Sequence, residues 1–150
     1  MIDEVRVARV EPQWIASVRR QTNQDQFSIV IPEACGEVWQ FLRATGTPHS
    51  GLNLVVYLDW TGNLECGVIV PERFDSDGPV ICSATPGGTV ATTSHQGPYD
   101  RLGETHEAIM DWCVRRGHTL VGPCWEIYGH WNDDPAKLRT DVVYLLKEEP

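Results

Sequence analysis

The segment Gly51-Leu52-Asn53-Leu54-Val55-Val56-Tyr57-Leu58-Asp59-Trp60 is answered 71 residues later by Gly122-Pro123-Cys124-Trp125-Glu126-Ile127-Tyr128-Gly129-His130-Trp131. Gly51 meets Gly122, Tyr57 meets Tyr128 and Trp60 meets Trp131. The same offset carries Phe41 onto Trp112 and Gly46 onto Gly117, a constancy that similar composition alone does not produce. Beyond Trp60 the expected offset lengthens by three, placing Leu64 on Leu138 and Val68 on Val142, as a longer second turn would require. The chain therefore reads as a single domain, residues 1–150, made of two copies of one unit. The first copy covers about residues 1–73 and the second about 79–148.

Each copy has the same internal order. Residues 5–10 and 14–20 are rich in Val, Ile and alternating polar side chains, an extended first segment broken near Pro12. Pro32 and Glu33 suit a helix start, and Cys35, Val38, Trp39 and Leu42 recur at helical spacing until Gly46. Residues 52–59 and 64–70 flank Thr61-Gly62-Asn63 as a hairpin. After a linker at 74–79 the order returns: extended residues 80–84 and 89–95, then a helix over about 100–116. Its buried stripe is expected to be Leu102, His106, Ile109, Met110 and Cys113, with Gly117 as its cap. A hairpin of residues 123–131 and 138–146 closes the second copy. The expected fold is α+β, two βαββ units related by a pseudo-twofold. Its antiparallel sheet carries two main helices on one face, with a ligand groove between the halves.

Twelve basic residues against 21 acidic ones give a net charge of -9, which repels phosphate backbones and attracts cations. Arg19-Arg20 and Arg115-Arg116 read as solvated pairs rather than a basic patch, so direct nucleic-acid binding is not expected. The N-terminal MIDEVRVARV lacks the apolar core of a secretory signal, and no apolar run has membrane-spanning length. Five scattered cysteines are an odd number suited to reduced thiols, and the expected location is cytoplasmic. His49, His95, His106, His118 and His130 are dispersed without metal-ligand spacing, so neither metal nor cofactor is expected. Six tryptophans leave room for an exposed apolar patch and a homodimer.

The repeat is most informative where it fails. Val55 is answered by Glu126, an acid in the middle of a strand. Alternation puts Cys124, Glu126 and Tyr128 on one face and Trp125 and Ile127 on the other. Facing solvent, Glu126 is an ordinary surface acid; facing the groove, it needs a hydrogen-bond donor or a cation. Tyr57, Trp60, Trp39 and Tyr128 are the rings that could approach it and attract a cation through their faces. His106, on the apolar stripe of the second helix, is either a hydrogen-bonded core histidine or a group reaching the groove. The candidate ligand-binding set is thus Glu126, Tyr57, Trp60, Trp39, Tyr128 and His106. Cys113 and Cys124 read as small core residues without an evident base.

Several motifs then resemble one family in order and spacing. They are Pro86-Gly87-Gly88-Thr89-Val90-Ala91, His95-Gln96-Gly97-Pro98-Tyr99-Asp100 and Gly122-Pro123-Cys124-Trp125-Glu126-Ile127-Tyr128, with Val55-Val56-Tyr57-Leu58-Asp59 and Glu65-Cys66-Gly67-Val68 in the first copy. Over nearly the whole chain they look like a GyrI-like domain, the small-molecule-binding module also found as the effector domain of AraC-type and MerR-type bacterial transcription regulators. The resemblance implies a pocket at the pseudo-twofold. In it the carboxylate matching Glu126 answers lipophilic cationic drugs and dyes while aromatic residues stack on them. The first strand is expected close to Met1, so the DNA-binding domain that many members carry is not expected ahead of it. The leading expectation is therefore a stand-alone, non-enzymatic binder that senses or sequesters amphipathic aromatic, preferably cationic, molecules. One alternative implied by the resemblance is a cofactor-independent hydrolase of reactive cyclopropane-bearing or other electrophilic natural products. Glu126 would activate water there, and Tyr57 or Tyr128 would polarise the leaving group. A second is a protein-interaction modulator of the gyrase-inhibitor type.

Overall fold

The structure, a computed structural model, describes residues 4–148. Eight strands form one antiparallel sheet: β1 (Arg6–Val10), β2 (Trp14–Gln21), β3 (Asn53–Tyr57), β4 (Asn63–Ile69), β5 (Ile81–Ala84), β6 (Gly88–Gln96), β7 (Leu120–Tyr128) and β8 (Arg139–Leu146). Their order across the sheet is β1-β6-β8-β7-β3-β4-β2-β5, with every neighbouring pair antiparallel. Helices α1 (Phe27–Thr45) and α2 (Leu102–Arg116) connect β2 to β3 and β6 to β7. Among the described residues no helix is long and apolar enough to cross a membrane.

The copies exchange their first strands. β1 lies against β6 of the second copy, and β5 lies against β2 of the first. Pro12 does break the extended run, but at a crossover between two strands far apart in the sheet. In a flat sheet β1 and β2 would lie about 29 Å apart at six strand spacings. The link from Val10 to Trp14 reaches about 14 Å at most. The sheet must therefore curl, and its helix-free face closes on itself around Ile15, Leu54, Val56, Val90, Trp125 and Val143. The two crossover links bond to one another there: Thr85 N–H donates to Gln13 O, and Gln13 N–H donates to Thr85 Oγ1, both at 2.9 Å.

The other face carries both helices. Ala34, Val38 and Leu42 of α1 pack on Ala16, Val55, Cys66 and Val68, while Ile109 and Cys113 of α2 pack on Ala91, Cys124, Val142 and Tyr144. The buried residues Ala34, Val38 and Leu42 correspond to Thr105, Ile109 and Cys113 at the offset of 71. Both helices stop at a left-handed glycine, Gly46 (φ 67°) and Gly117 (φ 76°).

Three local expectations need correction. α1 starts at Phe27, so Pro32 lies inside the helix rather than at its start. Phe27 and Ile31 pack on the core of the first copy, which offsets the backbone bond that Pro32 cannot donate. On α2 the buried stripe includes Thr105, while His106 and Met110 are only half-buried. The Thr105 hydroxyl is satisfied at 2.8 Å by His95 Nδ1, whose other nitrogen lies 3.0 Å from Pro98 O, and this pins the entry to α2. Val55 faces Cys66 in the β3–β4 hairpin and Glu126 faces Val142 in the β7–β8 hairpin, so Cys66 corresponds to Val142 and Val68 to Tyr144. That offset exceeds the expected one by two residues, a shift that leaves every side chain on its original face and is invisible to alternation.

Candidate functional site

The centre of the sheet is the β3–β7 ladder, in which Val55 is paired with Glu126 and Tyr57 with Cys124. Because β3 and β7 correspond in the two copies, the pseudo-twofold passes between Val55 and Glu126. Tyr57 and Tyr128 flank this point and touch the cores of both copies. The groove above them lies between the N-terminal ends of α1 and α2. It comprises two cavities, of about 620 and 640 Å³, which share Phe27, Tyr57, Leu102 and Glu126.

Glu126 is 3% exposed and fully engaged. Its Oε1 accepts hydrogen bonds from Tyr57 OH at 2.9 Å and Tyr128 OH at 2.6 Å, and its Oε2 lies 2.6 Å from His106 Nε2. His106 Nδ1 in turn lies 2.6 Å from Tyr144 OH. With Nε2–H donating to the carboxylate, Nδ1 either accepts from Tyr144 in the neutral ring or donates to it in the imidazolium. Burial by itself would push the Glu126 carboxyl up. The His106 bond and charge, followed by the Tyr128 and Tyr57 hydroxyls, outweigh burial and hold it below the usual glutamate range. The same burial, with the Glu126 charge beside them, pushes the Tyr57 and Tyr128 hydroxyls well up, so both remain donors. Burial also pushes the Cys124 thiol up to about 12 and that of Cys35 to about 11, which leaves neither poised as a thiolate.

The asymmetry between the copies is a connected set rather than one residue. At the positions of His106, Glu126 and Tyr144 the first copy has Cys35, Val55 and Val68. The polar chain Tyr144–His106–Glu126 therefore belongs wholly to the second copy, and the first supplies Tyr57 to it.

Of the six candidate residues, Tyr57, Tyr128 and His106 meet at Glu126. Trp60 stands at the rim of the first cavity, 61% exposed, with its ring nearly parallel to Tyr144 at 6.3 Å. Trp39 lines neither cavity: its indole N–H donates to Asn53 Oδ1 at 3.2 Å and its ring meets His49 edge-on. Sequence reasoning missed Tyr144, Phe27, Tyr99 and Trp131. Trp131 is marked by its match to Trp60, and Tyr99 lies within the His95–Asp100 motif. Phe27 was hidden by the late helix start, and Tyr144 by the misplaced offset of the last hairpin.

A carboxylate so held is a weak base and a fixed negative charge among aromatic side chains. Comparison with curated proteins finds no match. Solved structures share the fold at low identity. The EcmrR C-terminal domain is 21% identical with a TM-score of 0.81, covering 97% of this chain and 98% of that one. In the EcmrR–DNA complex the chain spans only 58% of EcmrR. SAV2435 bound to tetraphenylphosphonium is 11% identical with a TM-score of 0.70, covering 97% of this chain and 94% of that one. A hydrolase from Listeria innocua is 13% identical with a TM-score of 0.61, covering 96% and 92%. Residues 3–147 match the GyrI-like small molecule binding domain, and the chain belongs to that family.

Proposed function

We propose that the groove binds amphipathic aromatic cations, with Glu126 answering the positive charge and Tyr57, Tyr128 and Trp60 offering ring faces. One observation carries the reading. The carboxylate sits buried where the two cavities meet, and its donors hold it ionised, so a cation entering either cavity meets a fixed negative charge with little water around it. At an effective dielectric near 20, two such charges about 5 Å apart attract by about 3 kcal/mol. Ring faces add about 0.5–2 kcal/mol per good cation–π contact. The structure of SAV2435 with tetraphenylphosphonium supports the choice of ligand class. Calorimetric titration of tetraphenylphosphonium is expected to show Glu126→Gln binding roughly a hundredfold more weakly than wild type. Neutral triphenylphosphine oxide should be nearly indifferent to the change. Equal cation affinity in the two proteins would remove the carboxylate from the mechanism.

The hydrogen-bonded chain Tyr144–His106–Glu126 favours a second reading, hydrolysis of an electrophilic small molecule, because it offers a path for a proton. Against it stands the low basicity of Glu126, whose oxygens already accept bonds from its neighbours. Mass spectrometry of a reactive cyclopropane substrate after incubation distinguishes the readings: a water adduct that depends on Glu126 supports turnover, and unchanged substrate supports binding.

A further inference from the structure

The two cavities are related by the same pseudo-twofold that relates the copies. β3 and β7 run antiparallel, so the residues that follow them leave the central ladder in opposite directions. Trp60 follows β3 and lines the first cavity, and its counterpart Trp131 follows β7 and lines the second. They are 61% and 71% exposed, so each cavity presents an uncovered indole at an equivalent position. Each cavity has the volume of a complete small-molecule site. The charge, in contrast, is single: Glu126 is shared by both cavities, and its counterpart Val55 carries none.

We infer that one ligand occupies both cavities at once, a molecule with a central cationic centre and two aromatic arms, one reaching toward Trp60 and the other toward Trp131. Two separate cations would share one carboxylate and repel each other across it, whereas a single centre with two arms uses the charge once and covers both indoles. This deepens the cation-binding reading and rests on it for the central charge; the spanning geometry rests on the two tryptophans.

N,N-dibenzyl-N,N-dimethylammonium and benzyltrimethylammonium test the inference by calorimetry, which does not depend on the tryptophans being removed. The dibenzyl cation is expected to bind at least tenfold more tightly. Trp60→Ala and Trp131→Ala should each weaken it about tenfold, with their melting temperatures serving as the folding control. The single-ring cation should lose affinity in no more than one of the two variants. Dibenzyl affinity unchanged in either tryptophan variant, or no dibenzyl binding at all, overturns the spanning ligand. Dependence on both tryptophans with no loss in Glu126→Gln supports the span and removes the charge reading alone, so the two failures are told apart.

Discussion

Val55 and Glu126 are partners across the β3–β7 ladder and also occupy the same position in the two copies. Directly paired residues on neighbouring antiparallel strands lie about 4.5–5.5 Å apart at Cα. An acid in both copies would therefore set two buried carboxylates against each other, and one would have to take up a proton. The location of the pseudo-axis thus permits one charge here. The apolar Val55 belongs to the site as much as the glutamate opposite it.

Val55→Glu makes that argument measurable. The added carboxyl, facing ionised Glu126, is expected to be raised above its unfolded value of about 4.3. The folded state then binds the extra proton, so stability falls as pH rises above the unfolded value. Urea unfolding should show the variant about 3 kcal/mol less stable than wild type at pH 8, with a smaller gap at pH 5.

The wild-type glutamate has the opposite sign. Its folded pKa is depressed, so its contribution is fully present above the unfolded value of about 4.3 and is lost as pH falls through the lower folded one. Asp59, lowered to about 2 chiefly by its Asn63 hydrogen bond, follows the same sign, so the informative quantity is a difference. Wild type minus Glu126→Gln, followed by urea midpoints from pH 3 to 7, should shrink on acidification. Tyr128→Phe removes a donor at 2.6 Å and should move that acid limb to higher pH while costing about 1–2 kcal/mol at pH 7.

Gly67 lies in β4 between β2 and β3, where a Cβ would stand 1.9 Å from Ala16 O. The atoms it would meet are all backbone of β2, so nothing flexible is there to yield. Gly67→Ala should lower unfolding stability by about 3 kcal/mol, read from denaturant midpoints, since relief requires spreading two paired strands.

Thiol chemistry offers an independent check on burial. Burial pushes Cys66 and Cys124 up to about 12 and Cys35 up to about 11. Alkylation of native protein with iodoacetamide at pH 7.5, followed by peptide mass spectrometry, should modify partly exposed Cys82 first and leave Cys66 and Cys124 intact until the protein is unfolded. Early labelling of Cys124 would mean that the floor of the groove is more open than its packing implies.

Much of this architecture was legible because repetition is written in residue types. The matches Tyr57–Tyr128, Trp60–Trp131 and Gly46–Gly117 are local, and alternation alone placed Glu126 on the face of Cys124 and Tyr128. Legibility ended where a choice depended on long-range closure. The crossing of β1 and β5 between copies leaves no local trace, because an edge strand has the same composition whichever partner it pairs with. Pro32 looked like a helix start because the apolar support of Phe27 and Ile31, which carries the helix past it, comes from tertiary packing.

The sequence by itself determined the duplication, the α+β order of elements and the single acid that breaks the repeat, since these follow from residue identity and spacing. Tertiary structure alone decided that Val55 and Glu126 pair across the axis, that His106 and Tyr144 complete the polar chain, and that Trp39 lines neither cavity and bonds instead to Asn53. The physical reason is that a hydrogen bond to a buried carboxylate depends on strand register and helix rotation to within an ångström, and alternation reports only which face a side chain takes.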